Sequence, residues 1–316
     1  MRHRNSRVRA LASKAAAAGM LGLTRSTFAL ARTLGPDRAA DVGAALARRV
    51  GPLLPVHRTA LRNIRAAFPE KTEAEARALA SAAWDNLGRT GAEYAHLADL
   101  FDFDPDRPTA GRCEVDGIEH FLRLRDDGRP GIIFSAHLAN WELPAICAAR
   151  FGLEATAVFR APNDPATARV VHEVRSQTMG GLEAARQGAA FSMQGILERG
   201  GHLGMLIDQH FTRGVVVDFF GRSVLVNPIL GKFARRFDCP VHGVRVVRRP
   251  RHRFLLQLTG PLDLPRDPDG QIDVRGAMQA MTAVVEGWVR EHPEQWLWMH
   301  RRWRLPTAAG RDAARS

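Results

Sequence analysis

Phe134-Ser135-Ala136-His137-Leu138-Ala139-Asn140-Trp141-Glu142-Leu143-Pro144 is the stretch from which the fold can be read. Its first residues close an apolar run, Ile132 to Ala136, with the length and composition of a buried strand. Pro144 fits a helix only in the first turn, where its missing N–H leaves no bond unmade, so a helix begins near Glu142. A strand, a short polar loop and a helix thus follow one another. The loop delivers His137 to the carboxyl end of the strand and Glu142 to the start of the helix.

Working outward, similar runs recur at Ala155 to Phe159, Leu203 to Ile207, Val241 to Val247 and Phe254 to Leu258. Helical patterns fall between and after them: Ala166 to Gln177, a start at Asn227-Pro228, and Arg275 to Glu291. The alternation predicts an α/β domain with a central, mostly parallel sheet flanked by helices. Upstream the chain reads as helical. Leu61, Ile64 and Phe68 share a face, and Thr72 with Glu75 forms a capping box opening a helix that carries Leu79, Ala83 and Leu87. Residues 1–56 are read as a helical N-terminal extension, 57–305 as the catalytic domain and 306–316 as a disordered tail.

The chemistry expected of the central stretch is that of a general base. His137 can fold back over the helix start, where Glu142 would accept the imidazole Nδ1 proton and leave Nε2 as the base. The spacing H-x-x-x-x-E is not H-E-x-x-H, so the zinc-protease reading lacks its second ligand, and the chain has no G-x-S-x-G elbow. Three of the predicted strands end in polar residues: His137, Arg160, and Asp208 with Gln209. Ligands of open parallel sheets bind beyond the carboxyl ends of the strands, so a base, a cation and a carboxylate are expected in one crevice, with a structural ion pair of Arg160 and Asp208 at a strand edge as the alternative.

Composition sets the partner class. The chain has 316 residues, 45% of them hydrophobic and 25% charged, and a formal net charge of +12 carried almost entirely by arginine. Acidic partners follow, without a choice between anionic lipid, an acidic carrier and nucleic acid, although no recognisable nucleic-acid module is present. Arg2, Arg4, Arg7, Arg9 and Lys14 precede an apolar stretch from Ala15 to about Leu34 that Arg25 interrupts, which favours a helix lying in a membrane interface over one crossing it. The three cysteines, Cys113, Cys147 and Cys239, have neither disulfide nor metal-ligand spacing and are read as buried thiols of a reducing compartment.

Four blocks in order carry a resemblance: His137-Leu-Ala-Asn-Trp-Glu142; Phe159-Arg160-Ala161-Pro162-Asn163-Asp164-Pro165; Asp208-Gln209 followed by Val217-Asp218-Phe219-Phe220-Gly221; and His292-Pro293-Glu294-Gln295-Trp296-Leu297-Trp298-Met299-His300-Arg301-Arg302-Trp303. From about His57 to Arg304 the chain resembles the lipid A lauroyl/myristoyl acyltransferase family, within the wider glycerolipid and lysophospholipid acyltransferase superfamily. The resemblance implies a glycerolipid acyltransferase-like fold, a cytoplasmic-face location at a bacterial inner membrane, and contact with its phospholipid. It implies an acyl-acyl carrier protein donor, a Kdo-lipid A precursor as acceptor, and no metal or cofactor. His137 and Glu142 would be the catalytic pair, and Arg160, Asn140, Asn163, Asp208 and Gln209 would meet substrate. The tryptophans and arginines of the last block are expected at a lipid headgroup interface, with a plain closing segment as the alternative. Competing readings are transfer to another glycolipid or lysophospholipid, hydrolysis of the thioester, and a basic membrane- or nucleic-acid-binding protein. The last leaves the ordered blocks unexplained.

Overall fold

The computed structural model describes residue 22 and residues 25–303, apart from 162, 163 and 187. The basic flank at 1–14, residues 15–21, 23 and 24 of the apolar stretch after it, Asn163 and the 306–316 tail lie outside the described residues. Residues 25–34 are helical. Four helices follow: α1 (Pro36–Val50), α2 (Val56–Ala67), α3 (Glu73–Glu93) and the short α4 (Leu97–Leu100). Alternation then sets in, with β1 (Cys113–Asp116), α5 (Ile118–Asp126), β2 (Gly131–Ser135), α6 (Leu143–Arg150), β3 (Ala155–Phe159), α7 (Pro165–Thr178), β4 (Gly181–Ala184), α8 (Ala189–Glu198) and β5 (His202–Leu206). The remainder is β6 (Val215–Phe219), β7 (Arg222–Val226), α9 (Ile229–Phe237), β8 (Val241–Arg249), β9 (Arg253–Leu258) and α10 (Val274–Glu291).

Seven strands form one sheet in the order β1-β9-β8-β2-β5-β3-β4. Every pairing is parallel except β8 with β9, which run antiparallel. Strands buried on both faces read as continuous apolar runs, and β2 is the clearest case, with all five residues buried. Ile132 and Phe134 point into a core shared with α2, α3, α8, α9 and α10, while Ile133 points into a second core made with α4, α5 and α6. The predicted strands are all present, some with ends shifted by a residue. Those unread in the sequence are the four-residue edges β1 and β4 and the separate hairpin β6–β7. That hairpin turns at Phe220-Gly221, both with positive φ, the geometry of a two-residue type I′ turn.

Helix ends follow their caps. Glu75 N–H donates to Thr72 Oγ1 at 3.3 Å and Thr72 N–H to Glu75 Oε2 at 2.7 Å, completing the capping box of α3. Pro144 lies in the first turn of α6, behind Glu142 at the N-cap. At α9 the cap is displaced by one residue, because Asn227 Oδ1 accepts the Ile229 N–H and Pro228 itself occupies the N-cap. The N-terminal α1 packs along α3 at a glycine crossing, where a Cβ on Gly43 would stand 2.5 Å from the Gly88 carbonyl oxygen.

Candidate active site

The parallel register of β2 and β5 decides what His137 meets. Ser135 pairs with Leu206, and Ile207 N–H donates to the Ser135 carbonyl at 3.0 Å, so the next residues out, His137 and Asp208, leave the sheet side by side. His137 Nδ1 lies 2.7 Å from Asp208 Oδ1, and the His137 backbone N–H donates to Asp208 Oδ2 at 2.9 Å. Trp296 Nε1–H donates to the same Oδ2 at 2.7 Å. Burial pushes the Asp208 carboxyl up, but the adjacent His137 and these hydrogen bonds outweigh it and hold the pKa well below the usual carboxylate range. An ionised Asp208 places the imidazole proton on Nδ1 and leaves the Nε2 lone pair outward. Gln209 Nε2 stands 3.3 Å from that nitrogen, within reach to donate to it.

The loop between His137 and Glu142 is held from three sides. Ala139 has φ of 47°, a left-handed conformation that a non-glycine residue adopts only under external constraint. Its N–H donates to the Gln295 carbonyl at 3.0 Å, and Leu297 N–H donates to the His137 carbonyl at 3.1 Å, clipping the loop to the C-terminal segment. Thr90 Oγ1 on α3 donates to the Ala139 carbonyl at 2.8 Å. Asn86, Thr90 and Glu93 form a buried polar stripe on that helix, closed by Arg248, which binds Glu93 and Asn86. Asn140, expected at substrate, is fully buried; its amide donates to Glu93 at 2.9 Å and its carbonyl oxygen accepts the Glu142 N–H. Through these two bonds Asn140 ties the loop to α3 and to the start of α6.

Glu142, expected at the Nδ1 of His137, does not meet it, because Asp208 occupies that position. The left-handed turn at Ala139 carries Glu142 to the start of α6, facing α7. There Arg175 Nε donates to Glu142 Oε2 at 2.8 Å and Arg175 Nη2 to Oε1 at 2.5 Å, and the Tyr94 hydroxyl donates to the same Oε1. Burial works against the Arg175 charge, but the Glu142 carboxylate beside it wins and raises its pKa. Burial and the Glu142 charge likewise raise the Tyr94 phenol. Neither Tyr94 nor Arg175 was singled out in the sequence; the one available signal is that Tyr94 is the chain's sole tyrosine.

Beneath this pair runs an apolar cavity of about 120 Å³ between the sheet and helices α5, α6 and α7. Its charged and hydroxyl lining, among the described residues, is Ser135, Glu142 and Arg175. Trp141 lines the cavity too and packs edge-on against His137, ring centroids 5.0 Å apart, so the imidazole stands beside the cavity. Cys147 also lines it, as a thiol that burial pushes up to about 12 and so keeps from acting as a nucleophile. Arg160 follows the end of β3 and is exposed. Within the C-terminal block, expected at a headgroup surface, Arg301 is exposed and Trp303 half-buried, while the rest of the tryptophan and arginine cluster is internal. Trp296, Trp298 and Arg302 are at most 1% exposed, and Arg302 donates to the Gln209 carbonyl at 3.1 Å, steadying the strand-end loop from behind.

The sequence model described as "Bacterial lipid A biosynthesis acyltransferase" matches residues 14–305. The chain belongs to that family. It is accordingly an O-acyltransferase of lipid A biosynthesis. Among curated proteins this acyltransferase is 26% identical over 247 residues to "Lipid A biosynthesis myristoyltransferase" of Escherichia coli (strain K12), covering 77% of this chain and 73% of that one. It is 27% identical over 248 residues to "Lipid A biosynthesis acyltransferase 1" of Shigella flexneri, with the same coverage.

Proposed function

We propose that the enzyme moves a fatty acyl chain from acyl-acyl carrier protein to a hydroxyl of a Kdo-bearing lipid A precursor. The observation that carries this is the placement of His137: an imidazole oriented by a buried carboxylate, with its base nitrogen outward, beside an apolar cavity. His137 Nε2 takes the proton of the acceptor hydroxyl as its oxygen attacks the thioester carbonyl, and the collapsing intermediate expels the carrier thiolate, which recovers a proton. Asp208 holds the tautomer and stabilises the imidazolium, and a positioned base of this kind contributes on the order of 10² to 10⁴ in rate. The acyl chain of the donor occupies the cavity. Glu142, held by Arg175 and Tyr94, positions the cavity wall at Trp141. Arg160, exposed beyond β3, meets acceptor phosphate together with Asn163, and Gln209 yields its place at Nε2 to the hydroxyl.

The enzyme works at the cytoplasmic face of the inner membrane in this reading. Among the described residues no helix is long and apolar enough to cross a membrane. Support for attachment comes from a different feature: Val42, Leu46, Val50, Leu53, Leu54 and Val56 are all exposed on one run of α1 and its exit, Leu53 at 81%. Arg49 and Arg58, also exposed, flank the tip. Apolar tips rimmed by arginine suit an anionic phospholipid surface.

The decisive experiment is mass spectrometry of the lipid formed by purified enzyme from carrier-bound acyl donors and a Kdo-lipid A precursor. A mass gain of one acyl chain on the precursor is expected. Release of free fatty acid at a rate indifferent to the precursor would refute the transfer reading.

A further inference from the structure

Glycine inside a strand forgoes side-chain packing and marks a place where something else comes close. Gly204 is the middle residue of β5, a strand flanked on both sides, yet it is not fully buried. A Cβ built on it would meet no atom nearer than the Thr156 carbonyl oxygen at 3.9 Å, so no neighbour requires a glycine there. What lies above it is the apolar cavity. Its partner across the β3 ladder is Ala157, also small and also lining the cavity, and Ala145 and Ala148 of α6 line it from the helical layer.

The register gives the cavity a direction. Leu206 stands at the end nearest His137, paired with Ser135; Gly204 and Ala157 lie two residues farther in, roughly 7 Å at the rise of a strand. Beyond them the lining continues to Ala155 and Leu153. A chain entering beside His137 must cross this pair of missing side chains to reach the inner end.

We infer that Gly204, with Ala157 beside it, is the specificity-determining gate that lets long acyl chains pass into the inner part of the cavity. The inference rests on the donor reading above and adds the residue that sets chain length. A short chain ends before the gate and is indifferent to it. A long chain needs the space over Gly204, and a leucine there would fill that space from the sheet side.

The test is a donor series from butyryl- to palmitoyl-acyl carrier protein, run with full-length wild type, Gly204→Ala, Gly204→Leu and Ala157→Val. Relative to butyryl, kcat/KM for palmitoyl is expected to fall roughly tenfold or more in Gly204→Leu, with smaller shifts in the other two. Gly204→Ala adds one methyl group into open space, so it keeps the question answerable if Gly204→Leu does not fold. Transfer by the wild type with an unchanged chain-length profile in the variants that fold would overturn the gate while leaving the donor reading intact. No transfer by the wild type from any donor would overturn that reading and the gate with it.

Discussion

At the scale of single residues, two carboxylates that look alike in sequence are spent differently. Asp208 accepts three hydrogen bonds, two of them from His137, and in the proposed mechanism it orients and stabilises the imidazole. Asp208→Asn keeps the shape but removes the charge and lets the amide favour the opposite tautomer. We expect kcat to drop by roughly 10² to 10⁴ with KM for the donor little changed, measured by product formation under saturating acceptor. A kcat within a few-fold of wild type would remove Asp208 from the mechanism. Glu142 is 3% exposed, and its carboxylate is neutralised by Arg175, whose side chain is itself only 12% exposed. Arg175→Met leaves that carboxylate buried without its cation, and a loss of about 3 to 5 kcal/mol in denaturant unfolding is expected. Adding Glu142→Gln should recover a large part of it, and no recovery in the double variant would mean that Arg175 stabilises through packing alone.

At the scale of elements, the strand that carries His137 was legible because its burial on both faces wrote an unbroken apolar run, and Asp208 was legible as a residue at a strand end. Their partnership was not, because it depends on β5 lying beside β2, a long-range fact that no local pattern encodes. Glu142 was the nearer acid in sequence, and the left-handed turn at Ala139 took it elsewhere. The polar stripe of α3 was illegible for a related reason: Asn86, Thr90 and Glu93 read as solvated residues on a helix but are satisfied internally by Arg248, Gln295 and the loop. The opposite end of the sheet holds a further consequence. His202 on β5 and His242 on β8 are buried with Nδ1 against the Glu154 and Thr259 carbonyls, and burial lowers both pKa values below the ordinary imidazole range. In the unfolded chain both take up a proton near pH 6.5, while the folded chain resists doing so. Stability is therefore full above that pH and falls as the solution is acidified through it. Thermal melting between pH 8 and 5, about the span over which imidazoles titrate, should show a falling Tm, and the fall should shrink in His242→Gln. A Tm that is flat across that range would show that neither histidine is held neutral.

At the scale of the whole molecule, the question is how a chain with a lipid acceptor reaches it. Contiguous apolar side chains left in water are costly enough that a face such as Val42, Leu46, Val50, Leu53, Leu54 and Val56 calls for a partner, and the surplus of positive charge selects an anionic one. The sequence pattern pointed instead to the stretch before Leu34, because it judged apolar length; the exposed face was hidden because Val42, Leu46 and Val50 repeat at the same spacing as a buried helical stripe. The buried stripe of α1 is the alanine side, Ala39, Ala40 and Ala44, which lets the helix sit close on α3 and turns the larger side chains outward. Burying one such side chain in an apolar phase is worth about 1.5 to 3 kcal/mol, so Leu46→Glu together with Leu53→Glu should weaken binding to phosphatidylglycerol-containing vesicles by roughly a hundredfold or more. Raising the salt concentration should weaken the wild type as well, through the flanking arginines, and should leave the residual apolar binding of an Arg49→Gln, Arg58→Gln variant nearly unchanged. Transfer to a detergent-dispersed acceptor should survive in both variants, because neither touches His137, Asp208 or the cavity. Vesicle binding at wild-type strength in the Leu46→Glu, Leu53→Glu variant would rule this face out as the proposed membrane contact.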